Sequence, residues 1–116
     1  MRKASVALIT ALAIVVLAAA VDMTGTWEVE FTFDDGNIPG GGIDCAFKQD
    51  GERLTGNCSG GTASLTGEVK GQDVTWRMTA GNPPPTFAGR LDEAGTSLKG
   101  RFAVGGLGGR FAAVKQ

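Results

Sequence analysis

Leu98-Lys99-Gly100-Arg101-Phe102-Ala103-Val104-Gly105-Gly106-Leu107-Gly108-Gly109-Arg110-Phe111-Ala112 is the stretch whose reading decides the fold. In extended backbone, residues two apart point to the same side. Gly100 therefore faces inward between Leu98 and Phe102, and Gly109 between Leu107 and Phe111. The same apolar-x-Gly-x-apolar rhythm occurs in Leu54-Thr55-Gly56-Asn57-Cys58, Leu65-Thr66-Gly67-Glu68-Val69 and Phe87-Ala88-Gly89-Arg90-Leu91. A mid-strand glycine weakens a flat sheet but lets the strand bend or come close to a neighbouring backbone. Repeated around a sheet, it curls the sheet into a narrow barrel. Closure also removes the exposed edges that an open meander would present. The expectation is an all-β, eight-stranded antiparallel up-and-down barrel; an open sandwich built from the same strands is the alternative.

Turn residues divide the rest of the chain. Asp34-Asp35-Gly36, Gln49-Asp50-Gly51, Ser59-Gly60-Gly61, Lys70-Gly71-Gln72, Gly81-Asn82-Pro83-Pro84-Pro85, Asp92-Glu93-Ala94-Gly95 and Gly105-Gly106-Leu107-Gly108 combine residues that tolerate or prefer turn geometry. They predict strands over 25–33, 43–49, 53–58, 63–69, 73–79, 86–92, 96–104 and 109–115. Trp27, Val29, Phe31 and Phe33 share one face of the first strand, with Glu28, Glu30 and Thr32 on the other. Val74, Trp76 and Met78 alternate with Thr75, Arg77 and Thr79 in the same way.

The N-terminus reads differently. Met1-Arg2-Lys3 is followed by an apolar run from Val6 to Ala20, broken only by Thr10, and ends in Ala18-Ala19-Ala20. A basic start, an apolar core and a small-residue cleavage site make a secretory signal peptide over residues 1–20. The run is shorter than the roughly 20 apolar residues a membrane span needs, and no cysteine follows it for lipid attachment. Residues 21–116 then form one domain of ordinary small size. The expected location is secreted or periplasmic.

The whole chain carries 11 Lys and Arg against 12 Asp and Glu; without Arg2 and Lys3 the balance is nine against twelve, a net charge near −3. A weakly acidic chain argues against nucleic acid and against an anionic membrane as partners. Cys45 and Cys58 are the two cysteines. In an exported domain they are candidates for a disulfide. A four-residue loop around Asp50-Gly51 sets 49 opposite 54, and hence Cys45 opposite Cys58, at a spacing suited to that bond.

The chain has no histidine and no tyrosine. This removes Ser-His-Asp and Cys-His catalysis and the usual zinc sites. Glu28 and Glu30 fall on the outer face, and most other acids sit at turns, so paired-carboxylate chemistry is not expected. Asp34, Asp35 and Asp44 flank the first loop without the spacing of a calcium loop. No P-loop or dinucleotide fingerprint is present. The reading is a non-catalytic protein without cofactor or metal.

Two functions suit such a barrel. The first is binding of a small apolar ligand, with Trp27, Phe31, Trp76, Met78 and Phe87 as candidate contacts. The second is an interaction or protease-inhibitor-like module acting through barrel-end loops, with the first loop and Asn82-Pro83-Pro84-Pro85 as contact segments. A monomer or small oligomer is expected. Trp27 has a further reading, a plug over which Arg101 or Arg110 stacks.

Thr24-Gly25-Thr26-Trp27, Asp50-Gly51-Glu52-Arg53-Leu54-Thr55-Gly56 and Gly109-Arg110-Phe111-Ala112 together resemble the calycin group, meaning lipocalins, avidins and small exported bacterial lipocalin-like domains. The resemblance implies an eight-stranded barrel with an internal site. It does not extend to biotin binding, because Glu28 and Val29 stand where avidins place polar groups. Exported bacterial metalloprotease inhibitors are similar in combining Gly-x-Trp, a small barrel and one disulfide; in them a mature N-terminal segment enters the protease, and here that segment would be Val21-Asp22-Met23-Thr24.

Overall fold

The computed structural model describes residues 21–116; the signal peptide expected over 1–20 lies outside the described residues. Eight strands follow in order: β1 Gly25–Phe33, β2 Gly41–Asp50, β3 Arg53–Cys58, β4 Ala63–Lys70, β5 Asp73–Met78, β6 Thr86–Leu91, β7 Ser97–Val104 and β8 Leu107–Lys115. Each pairs antiparallel with the next, and β8 returns to β1, so the sheet closes into a barrel in simple sequence order. The expected fold class is what the chain adopts, and the open sandwich is not.

The strand bounds follow the turn residues closely. Two strands begin two residues earlier than expected, β2 at Gly41 rather than 43 and β8 at Leu107 rather than 109. The sequence reading ends the last turn at Gly108, whereas Val104 already pairs with Leu107 around the two residues Gly105-Gly106. Gly105 takes φ of 62°, the left-handed conformation a tight two-residue hairpin needs, so Leu107 and Gly108 are released into the ladder. The expected register of the β2–β3 hairpin is observed, with Gln49 opposite Leu54 and Cys45 opposite Cys58. Those cysteines form a buried disulfide across 4.0 Å between Cα atoms.

Glycines and aromatics are paired across the strands. Phe47 faces Gly56, Trp76 faces Gly67, Phe111 faces Gly100, Phe102 faces Gly109 and Phe31 faces Gly41. At Gly67 a Cβ would run into the Thr75 carbonyl oxygen and come within 2.6 Å of the Trp76 Cβ. The absent side chain is thus the condition for β4 and β5 to approach so closely there. The ring opposite covers the backbone that the glycine leaves bare, as aromatic residues do for strand glycines elsewhere. Both consequences, tight curvature and a barrel interior supplied with large rings, come from one sequence rhythm.

All six phenylalanines and both tryptophans of the chain join one continuous network inside the barrel. Trp27, Leu54, Val74 and Leu98 are fully buried with them. Polar and charged residues alternate outward, among them Glu28, Glu30, Lys99 and Arg101.

Candidate functional site

The two ends of the barrel are built differently. At one end the connections β2–β3 and β4–β5 are two residues each and β6–β7 is five, and the segment before β1 folds across the opening. Met23 is fully buried there. Its carbonyl oxygen accepts a hydrogen bond from Trp27 Nε1 at 2.9 Å, and its amide donates to Gln49 Oε1 at 2.8 Å. The Gln49 amide donates in turn to Thr24 Oγ1 at 3.0 Å, and Lys115 Nζ reaches the Asp22 carbonyl oxygen at 3.3 Å. The Asp22 carboxylate is held below its ordinary pKa, first by the Thr24 amide donating to it. Trp27 is the floor of the barrel, and Met23 is the bolt across it.

The opposite end is open in character. It carries the longer loops 34–40 and 79–85. Phe31, Phe33, Ile43, Met78, Phe87 and Val104 are only half-buried around its rim, and Leu107 is 44% exposed. The rings make a graded stack inward from the rim. Phe87 lies parallel to Trp76 at 4.8 Å and nearly parallel to Phe102 at 5.8 Å between centroids. Phe102 meets Phe33 and Phe31 edge to face at 5.2 and 5.7 Å. Below Phe87, Trp76 is 3% exposed and sits between Phe47 and Phe111. Trp76 Nε1 is a buried donor with no hydrogen-bond partner among the described residues. Such a group costs about 1–3 kcal/mol unless something accepts from it.

Of the five residues singled out as ligand contacts, Phe31, Trp76, Met78 and Phe87 come together at or just beneath this open end. Trp27 is separated from them at the closed end, with its N–H already used. Sequence reasoning placed Phe102 inward without naming it as a ligand contact and did not include Phe33, Ile43 and Val104 in the site; their period-two spacing from other inward residues was the available signal. The stacking of Arg101 or Arg110 over Trp27 is not observed. With Leu98, Phe102 and Phe111 inward, alternation turns Lys99, Arg101 and Arg110 outward, and Arg101 pairs with Asp34 of the first loop instead. The segment Val21-Asp22-Met23-Thr24, the counterpart of a protease-entering arm, is fastened into the closed end by the bonds above. Asp35 Oδ1 accepts the Asn37 amide at 2.9 Å within the loop, and among the described residues no three potential metal ligands gather.

The outer wall has its own relief. A groove of about 1160 Å³ crosses β4–β7, lined by outward residues such as Thr66, Thr75, Arg77 and Arg101 and touching Trp76, Phe87 and Phe102 of the inner network as well. A smaller hollow of about 250 Å³ lies over β1, β7 and β8 between Glu30, Lys99 and Arg110. Register sets like charges directly opposite each other on this wall: Arg90 against Lys99, and Arg101 against Arg110. Glu28 likewise opposes Asp44 between β1 and β2. Such pairs oppose folding, although Arg90 is relieved by an ion pair with Asp73 at 2.8 Å.

No family model matches the chain, and no curated protein matches it. Among solved structures it is similar to a redesigned β barrel, mFAP1, bound to DFHBI, at 15% sequence identity and a TM-score of 0.45, covering 81% of this chain and 94% of that one.

Proposed function

We propose that this protein is an exported, non-catalytic binding barrel that takes a small apolar ligand through its open end. The observation carrying this reading is the asymmetry of the two ends. One is bolted by Met23 and Trp27, while the other leaves six large apolar side chains half-buried around a rim. Burying those side chains fully against a ligand gains roughly 25 cal/mol for each Å² of apolar surface removed from water. Barrels of eight strands are of the size that either fill themselves or hold one small molecule. Here the filling is aromatic, and the rings nearest the rim are the least buried of it.

The other properties fit the same reading. The chain holds no histidine, tyrosine or free thiol to supply nucleophilic or general-base chemistry. A disulfide suits an oxidising compartment, and the basic-apolar-small pattern of residues 1–20 supplies the export signal. The outward faces of the strands are polar and charged, unlike the apolar band of a lipid-facing barrel. The calycin resemblance of the Gly25-Thr26-Trp27 opening agrees with a floor tryptophan beneath a ligand site.

A second reading rests on the outer groove of β4–β7: a protein-interaction module that uses that wall and the adjoining open-end loops. Titration with N-phenyl-1-naphthylamine, followed by its fluorescence, separates the two. The open-end reading expects saturable binding of one probe per chain, lost in Phe33→Asp and kept in Thr75→Asp. Loss in Thr75→Asp with retention in Phe33→Asp assigns the site to the outer groove, and absence of saturable binding overturns the small-ligand reading.

A further inference from the structure

The two tryptophans of the chain are chemically unequal. Trp27 Nε1 has its acceptor, the Met23 carbonyl. Trp76 Nε1 is equally removed from water and has none among the described residues. The rings on either side, Phe47 and Phe111, lie edge to face at 5.1 and 5.4 Å. A π face accepts an N–H only weakly, so the donor remains short of a full bond. Buried tryptophans usually find such a bond, and an exception inside a binding barrel points to an acceptor supplied from elsewhere.

The stack above Trp76 says what shape that acceptor arrives on. Phe87 lies flat on Trp76, tilted by 10°, and Phe102 continues the stack at 27°. Phe87 is half-buried at the rim, so it is the ring of this stack able to swing toward solvent without unpacking the floor. A ligand entering from the open end would displace Phe87 and pack its body against the Trp76 ring; because the indole N–H lies in the ring plane, the acceptor has to turn out of that stack and reach the Nε1 edge of the ring.

Building on the open-end reading above, we propose that the ligand is a planar, conjugated or aromatic molecule with one hydrogen-bond acceptor, such as a carbonyl, at its leading end, and that Trp76 Nε1 donates to it. The apolar body packs among the rim phenylalanines above Trp76, and its acceptor turns out of the stack to meet the in-plane N–H at the edge of the indole. The acceptor discriminates among bodies of equal shape, because a ligand without it leaves the indole N–H unpaired, and a buried donor left unpaired is costly.

The test compares 2-acetylnaphthalene with 2-ethylnaphthalene, which share size and shape but differ in the carbonyl. Affinity and the indole Nε1–H resonances are measured on ¹⁵N-labelled full chain. The expected result is about tenfold tighter binding of the acetyl probe, the equivalent of one hydrogen bond. Its binding moves one indole proton downfield, that of Trp76, while the resonance of Trp27 stays fixed as the internal control. In Trp76→Phe the two probes bind alike. Equal binding of both probes to the wild-type chain, with an unmoved Trp76 resonance, overturns the acceptor assignment and leaves the open-end reading standing. Binding of neither overturns the assignment as well, and the N-phenyl-1-naphthylamine titration then shows whether the open-end reading falls with it. If Trp76→Phe does not fold, the resonance measurement on the wild-type chain decides alone.

Discussion

Replacing Gly67 by alanine adds one methyl group to the inner wall, and the structure leaves no room for it. Gly67 sits mid-strand in β4, directly opposite Trp76. Its missing Cβ would collide with the Thr75 carbonyl oxygen and stand 2.6 and 2.7 Å from the Trp76 Cβ and Cα. None of these atoms is the movable end of a side chain, so relief requires β5 to shift as a strand. Overpacking a close-packed interior typically costs about 1–3 kcal/mol. Against it stands the lower entropy of an unfolded chain with alanine, a gain of about 0.4–1 kcal/mol. The steric term wins, and the net loss expected is about 1–2 kcal/mol or more.

For a domain of this size each 1 kcal/mol lowers Tm by roughly 4–8 °C, so Gly67→Ala should melt on the order of 10 °C below the parent. Gly71→Ala provides the contrast. Gly71 has φ of 63° in the β4–β5 turn with open space around it, so its penalty is conformational, about 1–2 kcal/mol, and leaves strand packing untouched. Thermal melts followed by near-ultraviolet circular dichroism distinguish the cases. Gly67→Ala should also perturb the aromatic signal of Trp76 in the folded protein, and Gly71→Ala should not. A Gly67→Ala chain that is as stable as the parent, with an unchanged aromatic signal, would refute the claim that inward glycines set the approach of the strands.

Reduction, or Cys45→Ala with Cys58→Ala, should lower stability by roughly 3 kcal/mol in the loop-entropy account, read from denaturant melts; the oxidised chain should weigh two hydrogens less than the reduced one. Trp27→Ala removes the floor and strands the Met23 carbonyl, at an expected cost of about 3–5 kcal/mol, whereas a loss below about 1 kcal/mol would mean the floor carries no weight. Lys99→Glu places a carboxylate opposite Arg90 in place of a like charge and should stabilise by about 0.2–1 kcal/mol, with the gain shrinking as salt is raised. The Asp92 carboxylate lies below its ordinary pKa, first because the Ser97 amide and then the Thr96 amide donate to it. A depressed folded pKa contributes stability that is full above the unfolded value near 3.9 and lost as pH falls through the folded one. The stability difference between the parent and Asp92→Ala should therefore be present at neutral pH and fade in acid; a difference that grows in acid would reverse the assignment.

Most of the strand pairing was legible because turn chemistry and hydrophobic alternation agree in this chain. The stretch Gln49-Asp50-Gly51-Glu52 fixes one hairpin, and from it the Cys45–Cys58 pairing follows by counting. The inward glycines were legible for the same reason. What they face was not, since that needs the register of two strands at once: Gly67 against Trp76 and Gly100 against Phe111 appear only when adjacent hairpins are aligned. The misplacing of Arg101 and Arg110 over Trp27 has a plainer cause. Period two had already turned them outward from Leu98, Phe102 and Phe111, and a cation–π contact worth about 0.5–2 kcal/mol does not reverse the alternation of a whole strand.

The open end is the part that one-dimensional pattern could not supply. Trp27 and Trp76 stand in equally good strands, each flanked by polar neighbours, and nothing in those runs says that one N–H finds an acceptor and the other does not. The difference arises from four residues before β1. Met23 reaches back to satisfy Trp27, and in doing so closes one end and leaves the barrel with a direction. Once the floor is occupied, the open-end proposal has a ligand meeting the half-buried rim, the Phe87 stack and then the Trp76 indole, whose N–H has no partner among the described residues. On the open-end proposal, residues 21–24 therefore set which end of the barrel a ligand would enter by.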